Sequence, residues 1–123
     1  FGIDTYGIDL SETAIKFAKN WFDYENRSHL KNNLVVGSST DLPYDENEFS
    51  FIVSHGVLDS MDFKIAKKTI SEINRVLQKD GLFYFDLITN ENKTSKKEIV
   101  DLFYQMIPDF GYIEKGKYLD SKM

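Results

Sequence analysis

The sequence predicts an α/β fold, in which a mostly parallel sheet is flanked by helices. Short apolar segments, typical of buried strands, alternate with longer segments whose apolar residues recur at helical spacing. The predicted order is strand, helix, strand, a loop or short helix, strand, helix, strand and helix. Because this alternation makes the helices crossovers between strands, we expect the strands to be parallel and the crossovers right-handed. At 123 residues the chain forms at most one domain.

The first strand and helix are predicted from residues 3–25. An apolar segment over 3–8 predicts a strand that ends at Asp9, and Ser11 is a good N-cap for a helix over 12–25. Leu10, just before the N-cap, and Ile15, the fourth residue of the helix, occupy the two positions of a hydrophobic staple. The apolar face of this helix is predicted to consist of Ala14, Ile15, Ala18, Trp21 and Phe22.

Two strands and a second helix are predicted in the middle of the chain. The strands cover residues 34–36 and 49–54, joined by a polar loop, and a short helical turn follows at 57–61. Asp62 can cap a helix over 63–78. Gly81 is placed to end that helix in the left-handed conformation.

The last strand is predicted over 82–88, and a polar connector over 89–93 leads to the last helix. Ser95 and Glu98 form a capping box for this helix, and Pro108 ends it. Its apolar face carries Ile99, Leu102, Phe103 and Met106. The aromatic residues expected in the core are Trp21, Phe22, Phe51, Phe83 and Phe85.

Composition excludes several classes of function. A formal charge of −5 argues against a nucleic-acid surface, which would need a basic face. Without cysteine there are no disulfides or thiolate metal sites, and two histidines are too few for a histidine-rich metal site, so no metal is expected. No apolar run approaches the roughly 18 residues of a membrane helix, and no signal pattern opens the chain. We therefore expect a soluble cytoplasmic protein with no membrane partner.

Asp9 is the main candidate for ligand binding. Ligands bind at the carboxyl ends of strands in open α/β sheets, and a carboxylate there can accept hydrogen bonds from both hydroxyls of a ribose. The alternative is a solvated carboxylate that is favourable near a helix N-terminus. His55, at another strand end, can act as a general base or simply bond the backbone.

At four segments the sequence resembles the class I S-adenosylmethionine-dependent methyltransferases that act on small molecules. The resemblance covers about residues 1–90. The segments are 6–12 (YGIDLSE), 36–44 (VGSSTDLPY), 48–58 (EFSFIVSHGVL) and 72–82 (EINRVLQKDGL). Their order and spacing match the ends of the second to fifth strands of that family.

This resemblance implies a Rossmann-like sheet, S-adenosylmethionine as the cofactor and a small-molecule methyl acceptor. Asp9 would hold the cofactor ribose. Ser38 stands where the family often has an acid that accepts from the adenine amino group. The residues placed at the cofactor by the resemblance are Asp9, Leu10, Ser38, Ser39, Ser54 and His55. No catalytic residue is identified beyond His55 as a candidate, because the reaction mainly requires alignment of the acceptor with an activated methyl group.

The family's Gly-rich loop is absent, since none of the seven glycines forms a G-x-G pattern. We therefore expect residues 1–123 to form a partial methyltransferase domain with the second to fifth strands and their helices. The first strand with its Gly-rich loop and the C-terminal strands would be missing. Because the family's first strand lies between the second and fourth, its absence leaves unpaired sheet edges, and we expect little or no activity from this chain alone.

Two alternatives remain open at this point. A strand-end acid that binds ribose also serves the nicotinamide-binding domain of an oxidoreductase. A non-catalytic, methyltransferase-like interaction module is the other alternative. A G-x-G-x-x-G pattern upstream would favour the oxidoreductase, whereas binding of S-adenosylmethionine would exclude the non-catalytic module. The oligomeric state is not predicted.

Overall fold

The computed structural model describes residues 4–86 and 94–107, and it confirms the α/β fold and the predicted order of elements. Two short 3₁₀ turns, Ser28–Asn33 and Leu58–Ser60, complete the connections. The main elements are β1 (Gly7–Asp9), α1 (Glu12–Tyr24), β2 (Leu34–Val36), β3 (Phe49–His55), α2 (Phe63–Val76), β4 (Leu77–Asp86) and α3 (Lys96–Met106).

The strands form two parallel pairs. β1 pairs with β2, with Asp9 opposite Val36, and β3 pairs with β4, with His55 opposite Asp86. Among the described strands, no backbone pairing joins β1 to β3, so the pairs remain separate two-stranded sheets. The parallel arrangement is the predicted one, and it brings the carboxyl ends of the two strands in each pair together.

An aromatic cluster lies near the amino ends of β1 and β3. The rings of Tyr6 and Phe49 meet edge to face with centroids 5.4 Å apart, and Tyr44 packs edge-on against Phe49 at 4.9 Å. Burial raises the pKa of the Tyr44 phenol. Since Tyr44 belongs to the loop between β2 and β3, this cluster fixes that loop to the rest of the fold.

The first helix begins where the sequence predicts. The Ser11 hydroxyl accepts a hydrogen bond from the Ala14 amide at 3.1 Å, which satisfies a donor of the first turn. Ile15 is buried, but Leu10 is 75% exposed. Little of the Leu10 side chain can therefore pack against Ile15 as the predicted staple. The prediction of Trp21 as a core residue was wrong, because 61% of it is exposed.

The junction between α2 and β4 differs from the prediction. The helix ends at Val76 and the strand starts directly at Leu77, so Gly81 lies inside β4 and does not end the helix. A Cβ atom at Gly81 would lie 2.7 Å from Cδ1 of Leu77. The Gln78 carbonyl oxygen would lie 3.0 Å from the same Cβ, so a larger residue at this irregular part of the strand pairing would require the Leu77 side chain to move.

The core lies between α2, α3 and one face of the β3–β4 pair. Phe83 and Phe85 are partly buried against it, and their rings pack on Phe103, as predicted for core aromatics. Phe51 was predicted there incorrectly, because it is 58% exposed on the opposite face of the strand. The buried cluster consists of Leu58, Ile70, Ile99, Leu102 and Phe103.

The capping box of α3 is present as predicted. The Ser95 hydroxyl accepts from the Glu98 amide at 3.2 Å, and the Glu98 carboxylate accepts from the Ser95 amide at 3.1 Å. The predicted strand end at 87–88, the connector and Pro108 lie outside the described residues. No helix in the described part of the chain is both long and apolar enough to cross a bilayer.

Candidate functional site

Asp9 lies at the carboxyl end of β1, as the sequence predicts. Its backbone carbonyl accepts from the Gly37 amide at 2.9 Å, and its Oδ1 accepts from the Ser11 amide at 2.8 Å. Within the described residues, the structure shows no partner for the other carboxylate oxygen, and the residue is exposed. One oxygen thus orients the group while the other can accept from a ligand hydroxyl. Leu10 is exposed beside it.

Ser38 and Ser39 open the loop after β2, and both hydroxyls already have partners. Ser38 Oγ accepts from the Thr40 amide at 3.1 Å and lies 2.7 Å from the Thr40 hydroxyl. Ser39 Oγ lies 3.0 Å from Oγ1 of Thr69 on α2. Because a hydroxyl has one donor and two acceptor positions, each serine retains the capacity for a further hydrogen bond to a ligand.

Arg75 and Glu72 of α2 hold the same loop farther along. The Arg75 guanidinium donates to the carbonyls of Tyr44 at 2.7 Å and Leu42 at 2.9 Å. Glu72 Oε1 accepts from the Leu42 amide at 2.8 Å. Hydrogen bonding by Arg75 lowers the pKa of Glu72, against the opposing effect of burial, and hydrogen bonding by Glu72 raises the pKa of Arg75.

His55 and Asp86 meet at the carboxyl ends of β3 and β4. His55 Nδ1 lies 2.6 Å from Asp86 Oδ2, and 87% of the His55 side chain is exposed. Asp86 Oδ1 accepts from the Gly56 amide at 2.8 Å. Gly56 has φ 60°, a conformation that glycine adopts without strain. Ser54 is half-buried one residue earlier, opposite Phe85.

The structure therefore places the predicted site residues at the carboxyl ends of two parallel pairs. Asp9 ends β1 and Leu10 follows it, Ser38 and Ser39 lie in the loop after β2, and Ser54 and His55 end β3. In the part of the chain that is described, no hydrogen bond links Asp9 to the predicted residues on the other strands.

Three residues of this region were missed by the sequence reasoning. Asp86 is an acid two residues before the end of the strand predicted over 82–88, and it was not singled out because an acid inside a strand gives a weaker signal than Asp9. Glu72 and Arg75 were seen only as part of a helix-to-strand corner. Their spacing of three residues on a helix predicts an ion pair, although it gives no indication that they bind a loop.

No group of three or more metal-binding side chains forms within residues 4–86 and 94–107. The candidate site residues offer carboxylate and hydroxyl hydrogen bonding, together with one exposed imidazole that has a carboxylate partner.

The matching family model and two similar proteins are all described as methyltransferases. The family model described as "Methyltransferase domain" matches residues 1–85. A demethylmenaquinone methyltransferase of Staphylococcus carnosus is 35% identical over 80 residues, which are 64% of this chain and 30% of the relative. A putative methyltransferase of Bacillus subtilis, YrhH, is 34% identical over 96 residues, 76% of this chain and 52% of the relative.

A solved structure supports the same fold. Geranyl diphosphate methyltransferase in complex with S-adenosylmethionine superposes with a TM-score of 0.71 at 14% identity, covering 85% of this chain and 48% of that one. The chain thus spans about half or less of the length of the proteins that it matches. None of these matches supports the nicotinamide-binding or non-catalytic alternatives.

Proposed function

This chain belongs to the class I S-adenosylmethionine-dependent methyltransferases, and we propose that the complete protein transfers a methyl group to a small-molecule acceptor. The cofactor of this family is S-adenosylmethionine. When bound, it supplies a methyl group that is already activated by its sulfonium. The contribution of the protein is then to bind the cofactor, to orient the acceptor and to hold the two in line.

The proposal rests mainly on one observation, which is the orientation and exposure of the Asp9 carboxylate. Its Oδ1 is held by the Ser11 amide at 2.8 Å, and the carboxylate lies exposed at the end of a parallel strand. A fixed carboxylate of this kind fits the two hydroxyls of the cofactor ribose, because ionised oxygens make the stronger hydrogen bonds. We assign Asp9 to the ribose.

The remaining contacts to the adenosyl group are assigned to the loop after β2 and to the end of β3. Ser38 and Ser39 each have hydrogen-bonding capacity left, and the Arg75–Glu72 pair keeps their loop close to α2. Leu10 offers exposed apolar surface beside Asp9. Ser54 completes the proposed set from the end of β3, whereas His55, the last residue of that strand, is assigned to the acceptor and not to the adenosyl group.

We infer that a further strand of the complete protein lies between β1 and β3. In the described part of the chain β1 pairs only with β2 and β3 only with β4, so each of these two strands has one unpaired edge. The outer face of the second pair is also apolar and exposed at Phe51, Val53, Leu82 and Tyr84. Unpaired strand edges and contiguous exposed apolar faces are usually covered in a folded protein. Residues 1–123 alone should therefore show weak or no methyl transfer.

A reduced quinone is the acceptor that we propose, on the basis of the Staphylococcus carnosus relative, which is named for demethylmenaquinone. A fused hydroquinone ring is a flat, electron-rich small molecule that can present a nucleophilic carbon or oxygen to the methyl group. The acceptor is thus proposed from one relative, and the cofactor contacts are proposed from the resemblance to the family together with the geometry of Asp9 and its surroundings.

Calorimetric titration of the complete gene product with S-adenosylmethionine tests the proposed function. We expect saturable binding at one site, with competition by S-adenosylhomocysteine, the demethylated product. Methyl transfer from labelled S-adenosylmethionine to a short-chain demethylmenaquinol, kept reduced, tests the acceptor. Absence of any binding heat and of any competition would overturn the assignment to cofactor-dependent methyl transfer.

A further inference from the structure

The His55–Asp86 pair is built as an oriented unit. The two residues are opposite each other in the register of β3 and β4, at the last position of β3 and the last described position of β4. Asp86 Oδ2 lies 2.6 Å from His55 Nδ1, and Asp86 Oδ1 accepts from the Gly56 amide at 2.8 Å. The second hydrogen bond fixes the carboxylate plane, so the imidazole meets a carboxylate that is held in place.

This arrangement determines which ring nitrogen carries the proton. An ionised carboxylate only accepts hydrogen bonds, so Nδ1 of the neutral imidazole must carry the hydrogen that it donates to Asp86. Nε2 then has a free lone pair, and the side chain is 87% exposed. Histidine commonly acts as a general base when a carboxylate holds one ring nitrogen and the other nitrogen is free to take a proton.

We propose that His55 is the general base of the methyl transfer and that Asp86 is its positioning residue. The proposal rests on the proposed function above and narrows its acceptor to molecules that must lose a hydroxyl proton, such as a hydroquinone. Its location supports it, because the carboxyl ends of parallel strands form the ligand-binding edge of such sheets.

The proton-transfer step balances without another reagent. The O–H bond of the acceptor breaks, its electron pair stays on oxygen, and the proton forms a new bond to His55 Nε2. Asp86, already hydrogen-bonded to Nδ1, stabilises the positive imidazolium. The electron pair on oxygen, or on a ring carbon conjugated with it, would then form the bond to the methyl group, whose bond to sulfur would break with its electron pair left on sulfur. If the methyl group goes to a ring carbon, the hydrogen on that carbon would leave as a proton to water and restore the aromatic ring. Because His55 is exposed, the proton on its Nε2 then passes to water.

Nitrogen NMR of the imidazole rings tests the pair without any turnover. The His55→Gln variant loses one set of imidazole signals and thereby assigns those of His55, whereas His29→Gln, at the other histidine of these 123 residues, leaves that set in place. At alkaline pH, where both rings are neutral, we expect His55 of the complete gene product to carry its hydrogen on Nδ1. In Asp86→Asn the new amide can donate to Nδ1, and we expect the hydrogen to move to Nε2.

Kinetics of the same variants test the catalytic role. The probe is short-chain demethylmenaquinol, with a catechol as a second hydroxyl acceptor. We expect His55→Gln to lower kcat by about 10²-fold or more and Asp86→Asn by about 10-fold or more, because the proton acceptor is misplaced. The affinity for S-adenosylmethionine should stay within about 2-fold of wild type. Matched controls are His29→Gln and Asp101→Asn, which change exposed residues outside the site and should leave kcat unchanged.

The outcomes separate this inference from the function on which it depends. A wild-type protein that does not bind S-adenosylmethionine overturns the proposed function. A protein that binds it but methylates neither hydroxyl probe overturns the acceptor class. Normal kcat in His55→Gln, or an unchanged tautomer in Asp86→Asn, overturns the roles of the pair. A tautomer change together with loss of kcat at constant cofactor affinity supports them.

Discussion

Arg75 and Glu72, three residues apart on α2, form a doubly bonded ion pair. Arg75 Nε lies 2.7 Å from Glu72 Oε2, and Nη2 lies 2.9 Å from Oε1. Each partner also bonds the backbone of the loop between β2 and β3, at Leu42 and Tyr44. This pair therefore determines how the loop with Ser38 and Ser39 is held beside the candidate cofactor site.

Replacement of Arg75 by alanine should loosen that loop. The substitution removes donors from the carbonyls of Leu42 and Tyr44 and leaves Glu72 without its charged partner. We expect the amides of residues 38–48 to exchange with deuterium at least about 10-fold faster, because local opening becomes less costly. Hydrogen-exchange mass spectrometry of the complete gene product measures this directly.

Arg27→Ala is the matched control for that experiment, since Arg27 is exposed and lies before the 3₁₀ turn. It should leave exchange in the loop unchanged. Equal exchange in the Arg75 and Arg27 variants would contradict the role of the pair in holding the loop.

Glu72 should also make stability depend on pH. Its folded-state pKa lies below the ordinary value of 4.5, chiefly because Arg75 hydrogen-bonds the ionised form. The unfolded chain thus binds this proton more readily than the folded one, so the stabilisation is complete above about 4.5 and is lost as the pH falls through the lowered pKa. The free energies of unfolding of wild type and Glu72→Gln can be measured with urea from about pH 7 to about pH 3. The difference between the two free energies should become smaller below pH 4.5.

Glu25→Gln is the control for this series, because Glu25 is an exposed residue at the C-terminus of α1. The free energy of unfolding of Glu25→Gln should stay close to that of wild type at every pH in the series. The lowered pKa of Glu72 would be contradicted if the difference in free energy of unfolding between Glu72→Gln and wild type stayed constant or grew as the pH falls.

The local structure of this chain could be predicted because local chemistry determines it. Ser11 and Ser95 have capping side chains at helix starts, and both make the expected hydrogen bonds. Parallel strands followed from their alternation with helices. The long-range partners could not be predicted, since Arg75 and Tyr44, or His55 and Asp86, are about 31 residues apart and no local pattern joins them.

Burial of the aromatic residues was harder to predict for a geometric reason. Each helical residue is rotated by about 100° from the previous one, so Trp21 points away from the face that buries Ile15 and includes Phe22. In β3 apolar residues occur on both faces, and sequence alone does not say which face is covered. Phe51 lies on the exposed face, while Ile52 is half-buried.

The core between α2 and α3 should supply much of the stability of this region. Ile70 is fully buried in it, whereas Ile65, on the same helix, is 44% exposed. We expect Ile70→Ala to lower the free energy of unfolding by about 2–5 kcal/mol, since it leaves a cavity. Ile65→Ala should cost less than about 1 kcal/mol.

Urea unfolding of both variants in the complete gene product checks this comparison. Because the two substitutions are chemically identical and lie on one helix, the difference between them reports burial. Equal destabilisation by the two would mean that Ile70 does not occupy the core position described above.

Calorimetric titration of S-adenosylmethionine into the Asp9→Asn variant is the most direct test of the central assignment. The substitution keeps the shape of the side chain but removes the charge that strengthens its hydrogen bonds to ribose hydroxyls. With the complete gene product we expect the Kd to rise about 10- to 100-fold, equivalent to about 1.5–3 kcal/mol. Asp4→Asn, an exposed substitution before the amino end of β1, should bind like wild type. An unchanged Kd in Asp9→Asn would contradict the assignment of Asp9 to the cofactor ribose.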